Sequence, residues 1–117
     1  MLAYFQHLAG YNAWANQRLY AAAAQLTHEQ VWRNTGLFFG SLGGTLNHIL
    51  VADRVWMKRF TGEGDHPGTL SAILHHDLAD LRAAREAEDR RIIAYANSLT
   101  AERLDQTFTY RKMTTPD

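Results

Sequence analysis

Proline occurs only at positions 67 and 116 of this 117-residue chain, so two long stretches lack the residue most hostile to a helix. The spacing of apolar residues within them is helical. Met1, Phe5, Leu8, Asn12, Ala15, Leu19, Ala22 and Leu26 alternate four and three residues apart, one face of an amphipathic helix from about Leu2 to Leu26. The run Ala21-Ala22-Ala23-Ala24 adds helix propensity and permits close approach of a neighbour. Thr27 and Gln30 have capping-box spacing, which predicts a short helical turn reaching Trp32.

A glycine-rich aromatic connection, Asn34 to Gly40, leads to Ser41, a suitable N-cap. The second long helix is predicted to continue to Phe60 and stop at Gly62. Its seam is Leu42, Leu46, Ile49, Asp53, Trp56 and Phe60, with Val51, Ala52 and Val55 as a second apolar strip. Asn47, Arg54 and Lys58 are placed in solvent. A helix apolar on two sides packs against two things, here its own bundle and a partner subunit.

After a turn over Gly62–Gly68, a third long helix is predicted from about Leu70 to Leu99, with Leu70, Leu74, Leu81, Ala84, Ile92, Tyr95 and Leu99 inward. Arg82–Glu86, Glu86–Arg90 and Arg85–Asp89 are i,i+4 pairs, read as a solvated outer face. Such pairs contribute only about 0.2–0.5 kcal/mol each and imply no chemistry. Thr100 is suited to cap a further short turn, and Thr107–Arg111 alternates with period two, a short extended segment. The expectation is one all-α domain over residues 1–117, an up-and-down bundle of three visible long helices.

Composition narrows the function. Twelve Lys+Arg balance twelve Asp+Glu, which argues against nucleic-acid binding through the phosphate backbone. There is no cysteine, excluding a disulfide scaffold, a zinc ribbon and a Cys nucleophile. No segment approaches the roughly 20 apolar residues of a membrane span, and the N-terminus has no basic n-region, so a cytoplasmic protein is expected. No Gly-x-Ser-x-Gly elbow surrounds Ser41, Ser71 or Ser98, and Gly43-Gly44-Thr45 is not a phosphate loop. Trp14, Trp32 and Trp56 are read as core and interface anchors.

Six histidines raise the question of a metal. His7, His28, His48, His66, His75 and His76 include no His-x-x-x-His pair, the spacing that aims two imidazoles from one helix at one ion. Adjacent His75 and His76 point about 100° apart on a helix, while His76 and Asp80 have the i,i+4 spacing. His48 lies between the two apolar strips of the second helix, where a half-buried imidazole is either held by a backbone carbonyl or an acid, or used as a ligand. Asn12, Asn16, Asp53, Asp77 and Glu88 fall on or near inward faces. They form either a polar network that sets helix register or a polar pocket, with register the simpler role for Asn12 and an outward-reaching side chain the simpler one for Glu88.

Tyr11-Asn12-x-Trp14-Ala15-Asn16-x-x-Leu19, and Ser41-Leu42-x-x-Thr45-Leu46-x-His48-Ile49-Leu50-x-Ala52-Asp53-x-x-Trp56 followed by Phe60-Thr61-Gly62, resemble signatures of the DinB family. Leu81-x-x-Ala84-Arg85-Glu86-x-x-Asp89 and Tyr110-Arg111 are similar to its downstream segments. The resemblance implies a DinB-like four-helix bundle, often a homodimer, with a divalent metal (zinc or nickel) held by three histidines. His48 stands where the first of them belongs, and the other two form a His-x-x-x-His on a last helix. It also implies a metal-dependent transferase or isomerase using a low-molecular-weight thiol; the family name records damage induction and implies no DNA binding.

No His-x-x-x-His is present, and the sequence reaches Asp117 before that helix begins. The chain is therefore expected to be C-terminally incomplete, or to cover its groove by dimerising, with weak or no metal binding by these 117 residues alone. The alternative is a non-catalytic dimeric interaction module that has lost the metal site, unless His75 or His76 supplies missing ligands.

Overall fold

The computed structural model describes residues 2–104, and the extended segment expected over Thr107–Arg111 lies outside them. The described residues form five helices and no strand: α1 (Leu2–Ala23), α2 (His28–Trp32), α3 (Leu42–Thr61), α4 (Leu78–Ser98) and α5 (Ala101–Leu104). The all-α fold is as expected. None of these helices is long and apolar enough to cross a membrane.

Local chemistry places most of the boundaries. Thr27 Oγ1 accepts from the Gln30 amide at 3.1 Å while Gln30 Oε1 accepts from the Thr27 amide at 2.9 Å, the expected capping box. Ser41 Oγ caps α3 by accepting from the Gly44 amide at 3.0 Å. Gly62 ends α3 in the left-handed region at φ 75°, which glycine adopts without steric cost, and its amide donates to Lys58 O. Gly43 allows α2 to seat on α3, because a Cβ there would run into the Trp32 ring.

The third long helix begins later than predicted. Leu70 to His75 belong to the connection, and Asp77, expected on an inward helical face, is instead the N-cap of α4, accepting from the Asp80 amide at 3.3 Å. Asn47 explains where the connection goes. Placed in solvent by its spacing, it is fully buried: its Oδ1 accepts from the amides of Leu74 (2.8 Å) and His75 (3.1 Å), and its Nδ2 donates to Gly43 O (2.8 Å) and His75 O (3.1 Å). One amide side chain thus fastens the end of the connection to the first turns of α3.

This anchoring changes the topology. Leu81 packs with Leu46 and Leu50, Arg85 reaches Asp53, and Tyr95 stacks on Phe60, so residue numbers rise together along α3 and α4. The two helices are parallel, and the expected up-and-down alternation fails at α4. Residues 62–77 return over roughly 24 Å, the rise of α3 from Leu46 to Gly62 at about 1.5 Å per residue. Against α1 the order is reversed: Tyr20 and Ala23 lie near Leu81, and Asn16 near Asp89. α1 therefore runs antiparallel to both.

The apolar core sits where α1 ends and α3 and α4 begin, built from Tyr20, Ala23, Leu46, Leu50 and Leu81. Burying each leucine stabilises the fold by about 1.5–3 kcal/mol relative to exposing it. On α1 the buried residues are Ala9, Ala13, Asn16, Tyr20 and Ala23, one residue on from the predicted seam, while Phe5, Leu8, Leu19 and Leu26 are exposed. That offset is about 100° of rotation. Small alanines face α4 because they let the helix backbones approach, and the bulkier residues fall beside that contact. Trp14 and Trp56 are likewise exposed, and Trp32 packs on Gly43.

Candidate functional site

One turn beyond the leucine core, the bundle interior becomes ionic. Arg85, read from sequence as part of a solvated face, is 1% exposed, and its i,i+4 partner Asp89 is 4% exposed. Arg85 Nε donates to Asp89 Oδ1 at 2.9 Å, and its Nη2 lies 2.7 Å from both Asp89 Oδ1 and Asp53 Oδ2. From α1, Asn16 Nδ2 donates to both Asp89 oxygens (3.1 and 3.3 Å) and Asn12 Nδ2 to Asp89 Oδ1 (3.2 Å). The network joins all three long helices, as the register reading of Asn12 and Asn16 requires. Arg82–Glu86, at 3.4 Å, is the pair that does lie on the outer surface.

Burial and pairing oppose one another here. Burial works against the Arg85 charge, but Asp53 and Asp89 outweigh it and hold the guanidinium above its ordinary pKa. Burial pushes the Asp89 carboxyl up, a shift that Asp53 reinforces and that Arg85 and Asn16 limit. The Tyr20 phenol is pushed up to about 12 by burial, moderated by Arg85. Tyr20 Oη and Arg85 Nη1 are buried without a hydrogen-bond partner among the described residues. Glu88 does not reach outward; it is buried and paired with Arg91 at 3.2 Å. Arg91 also binds Thr61 Oγ1 and Glu63 O just past the end of α3.

The ionic centre opens into a cleft of about 290 Å³ at the other end of the bundle. Phe5 and Leu8 of α1, Met57 and Phe60 of α3, and Ile92 and Tyr95 of α4 contribute apolar walls, and Asn12 and Asp53 are the polar residues of the lining. The Asp53 side chain is 32% exposed, so the ion network reaches solvent there.

His48 occupies a separate place on α3. Its Nδ1 lies 2.9 Å from Leu70 O, and its ring stacks on Phe39 at 3.9 Å between centroids. A carbonyl oxygen only accepts, so Nδ1 carries the proton; in the neutral ring the lone pair is on Nε2. This is the backbone-carbonyl contact considered for a half-buried histidine, and it also fixes the tautomer a ligand through Nε2 needs.

The other histidines are dispersed. His66 Nδ1 is 2.9 Å from Pro67 O, and the rings of His28 and His76 are each centred 6.1 Å from Trp32. His7 is exposed on α1, and His75 contributes only backbone groups to Asn47. No three His, Cys, Asp or Glu side chains among the described residues converge in a way that could hold a metal ion, and His76 precedes the Asp77 N-cap of α4, so its spacing to Asp80 is not a helical one.

Spacing alone places the Arg85–Asp89 pair on the outer face, and the structure buries it. Leu81, Arg85, Glu88 and Ala96 nevertheless trace one helical stripe, with apolar residues at both ends that place the charges between them inside.

No curated protein and no solved structure matches the chain. A model of the DinB family matches residues 1–116, which covers α1 to α5 and every residue of the ionic centre. The chain belongs to the DinB family.

Proposed function

We propose that this protein is a divalent-metal-dependent enzyme, a transferase or isomerase acting with a low-molecular-weight thiol, in which His48 is one imidazole ligand. The observation that carries this reading is the hydrogen bond from His48 Nδ1 to Leu70 O, which leaves Nε2 as the donor atom and holds the ring in place. His48 Nε2 has no hydrogen-bond partner among the described residues. A zinc or nickel ion bound there would lower the pKa of a coordinated thiol or water. The described residues supply one such donor and not a closed set. Binding by these residues alone is correspondingly weak.

The test is a titration of the chain with Zn²⁺ or Ni²⁺, following the imidazole ¹⁵N resonances. The reading expects a His48 ring with the proton on Nδ1, whose Nε2 responds at the lowest metal concentration of the six histidines, with that response lost in His48→Ala. Exposed imidazoles responding first, with His48 unmoved, contradict it.

The second reading is a non-catalytic dimeric module, favoured by the exposed apolar residues Leu8 and Leu19 on α1 and Ile49 on α3. Static light scattering at micromolar concentration separates the two in part, since a strict monomer removes the module.

A further inference from the structure

We propose that the cleft between the N-terminal half of α1 and the C-terminal halves of α3 and α4 binds a small organic cation, an ammonium group carried on an apolar or aromatic body. The charge arrangement at its inner wall is the reason. Asp53 and Asp89 share the single guanidinium of Arg85, so the ionic centre carries one negative charge more than it neutralises. Asp89 is enclosed by Arg85, Asn12 and Asn16, whereas Asp53 is a third exposed and lines the cleft. The excess charge therefore meets solvent at Asp53, whose Oδ1 makes no hydrogen bond among the described residues.

Asn12 adds a second acceptor. Its Nδ2 is committed to Asp89, because a carboxylate accepts and does not donate, and its Oδ1 has no partner among the described residues. Asp53 and Asn12 thus stand on two different helices at the wall of one small cleft, each with an oxygen that no described residue satisfies. Around them Phe5, Leu8, Met57 and Tyr95 offer apolar surface suited to the body of such a ligand. An ammonium held there would meet Asp53 in partly desolvated surroundings, where the attraction exceeds that in water. An anion of the same shape would face the unneutralised carboxylate. Neither His48 nor any metal takes part, so this inference stands or falls separately from the proposed function.

The probe is 2-phenylethylammonium, with 3-phenylpropanoate and 2-phenylethanol as anionic and neutral counterparts, added to the uniformly ¹⁵N-labelled full chain in metal-free buffer. The cation is expected to shift the resonances of Asn12, Asp53 and Met57 at concentrations about tenfold below those needed for either counterpart, a preference worth about 1.4 kcal/mol. Asp53→Asn is expected to remove the preference. Because that substitution also disturbs the partner of Arg85, Leu8→Lys is the second variant: it changes an exposed residue of the cleft wall and sets a positive charge at its rim. It is expected to weaken the cation's binding by at least about tenfold while the circular dichroism spectrum is unchanged. Equal responses to cation, anion and alcohol, shifts that map away from the cleft, or an undiminished cation preference in Leu8→Lys would each overturn the proposal.

Discussion

The leucine end of the bundle and its ionic middle are made by the same three helices and exclude water in different ways. Where α1 ends and α3 begins, Leu46, Leu50 and Leu81 close around Tyr20 and Ala23. Midway along α3 the same interface is held by Arg85, Asp53 and Asp89, with Asn12 and Asn16 completing the coordination from α1. The leucine end needs only volume and tolerates approximate shape. The ionic part needs each partner at its own distance, because a buried charge that loses its partner is costly. Such a centre fixes which residues of α1, α3 and α4 lie side by side, and it opens to a cleft at Asp53. The positions whose exact identity matters most therefore cluster where the interior is polar.

Substitutions in the two regions should separate them. Arg85→Ala strands two carboxylates and should cost about 3–5 kcal/mol, read as a large loss in the urea midpoint or outright unfolding. Leu50→Ala, at a fully buried site, should cost about 2–5 kcal/mol, with the native helix content retained at low denaturant. If Arg85→Ala proves much milder than Leu50→Ala, the ionic centre is looser than the distances indicate and the comparison fails.

Asn47→Ala removes the clamp on the returning connection and should cost about 1–3 kcal/mol. Amide exchange should accelerate first at Leu74 and His75, whose N–H groups it holds. Uniform acceleration across α3 and α4 would mean that the connection is held by something else.

The Tyr20 phenol sharpens the border between the two regions. Its pKa is raised by folding, so its contribution to stability is complete below the ordinary value of 10.0 and is lost as pH rises through about 12. Absorbance at 295 nm should show one of the five tyrosines ionising only as the fold is lost, and Tyr20→Phe should remove that step. Asp89 carries the same sign at the acidic side: its raised pKa means that its ionised form is the destabilising one, so its own contribution grows as pH falls toward 3.8. The smallest effect is expected at Arg82, whose pair with Glu86 is solvent-screened: Arg82→Ala should change stability by no more than about 0.5 kcal/mol.

Several parts of the fold were legible because they rest on local chemistry. Thr27 with Gln30, Ser41 and Gly62 each announce a helix end by what their own atoms accept, donate or allow. Seams chosen by side-chain bulk were less reliable. On α1, Ala9, Ala13 and Ala23 make the close contact, and bulk pointed one residue away. Asn47 was invisible as a core residue because its partners, Leu74 and His75, are far along the chain. Without it, nothing distinguished a reversing turn from a connection that runs back to start α4 parallel to α3. Arg82–Glu86 and Arg85–Asp89 have identical spacing, and only the stripe from Leu81 to Ala96 tells the buried pair from the exposed one. The half-burial of His48 follows from its place on α3, whereas the tautomer set by Leu70 O depends on the returning connection.

The most direct measurement is a double-mutant cycle on Arg85 and Asp89, using Arg85→Met, Asp89→Leu and the pair together in urea denaturation. A buried pair that joins the helices predicts strong coupling, on the order of 1–3 kcal/mol, with the double mutant much less destabilised than the sum of the singles. Additivity to within about 0.5 kcal/mol would mean that the two side chains do not depend on one another, and would contradict an ionic centre in this bundle.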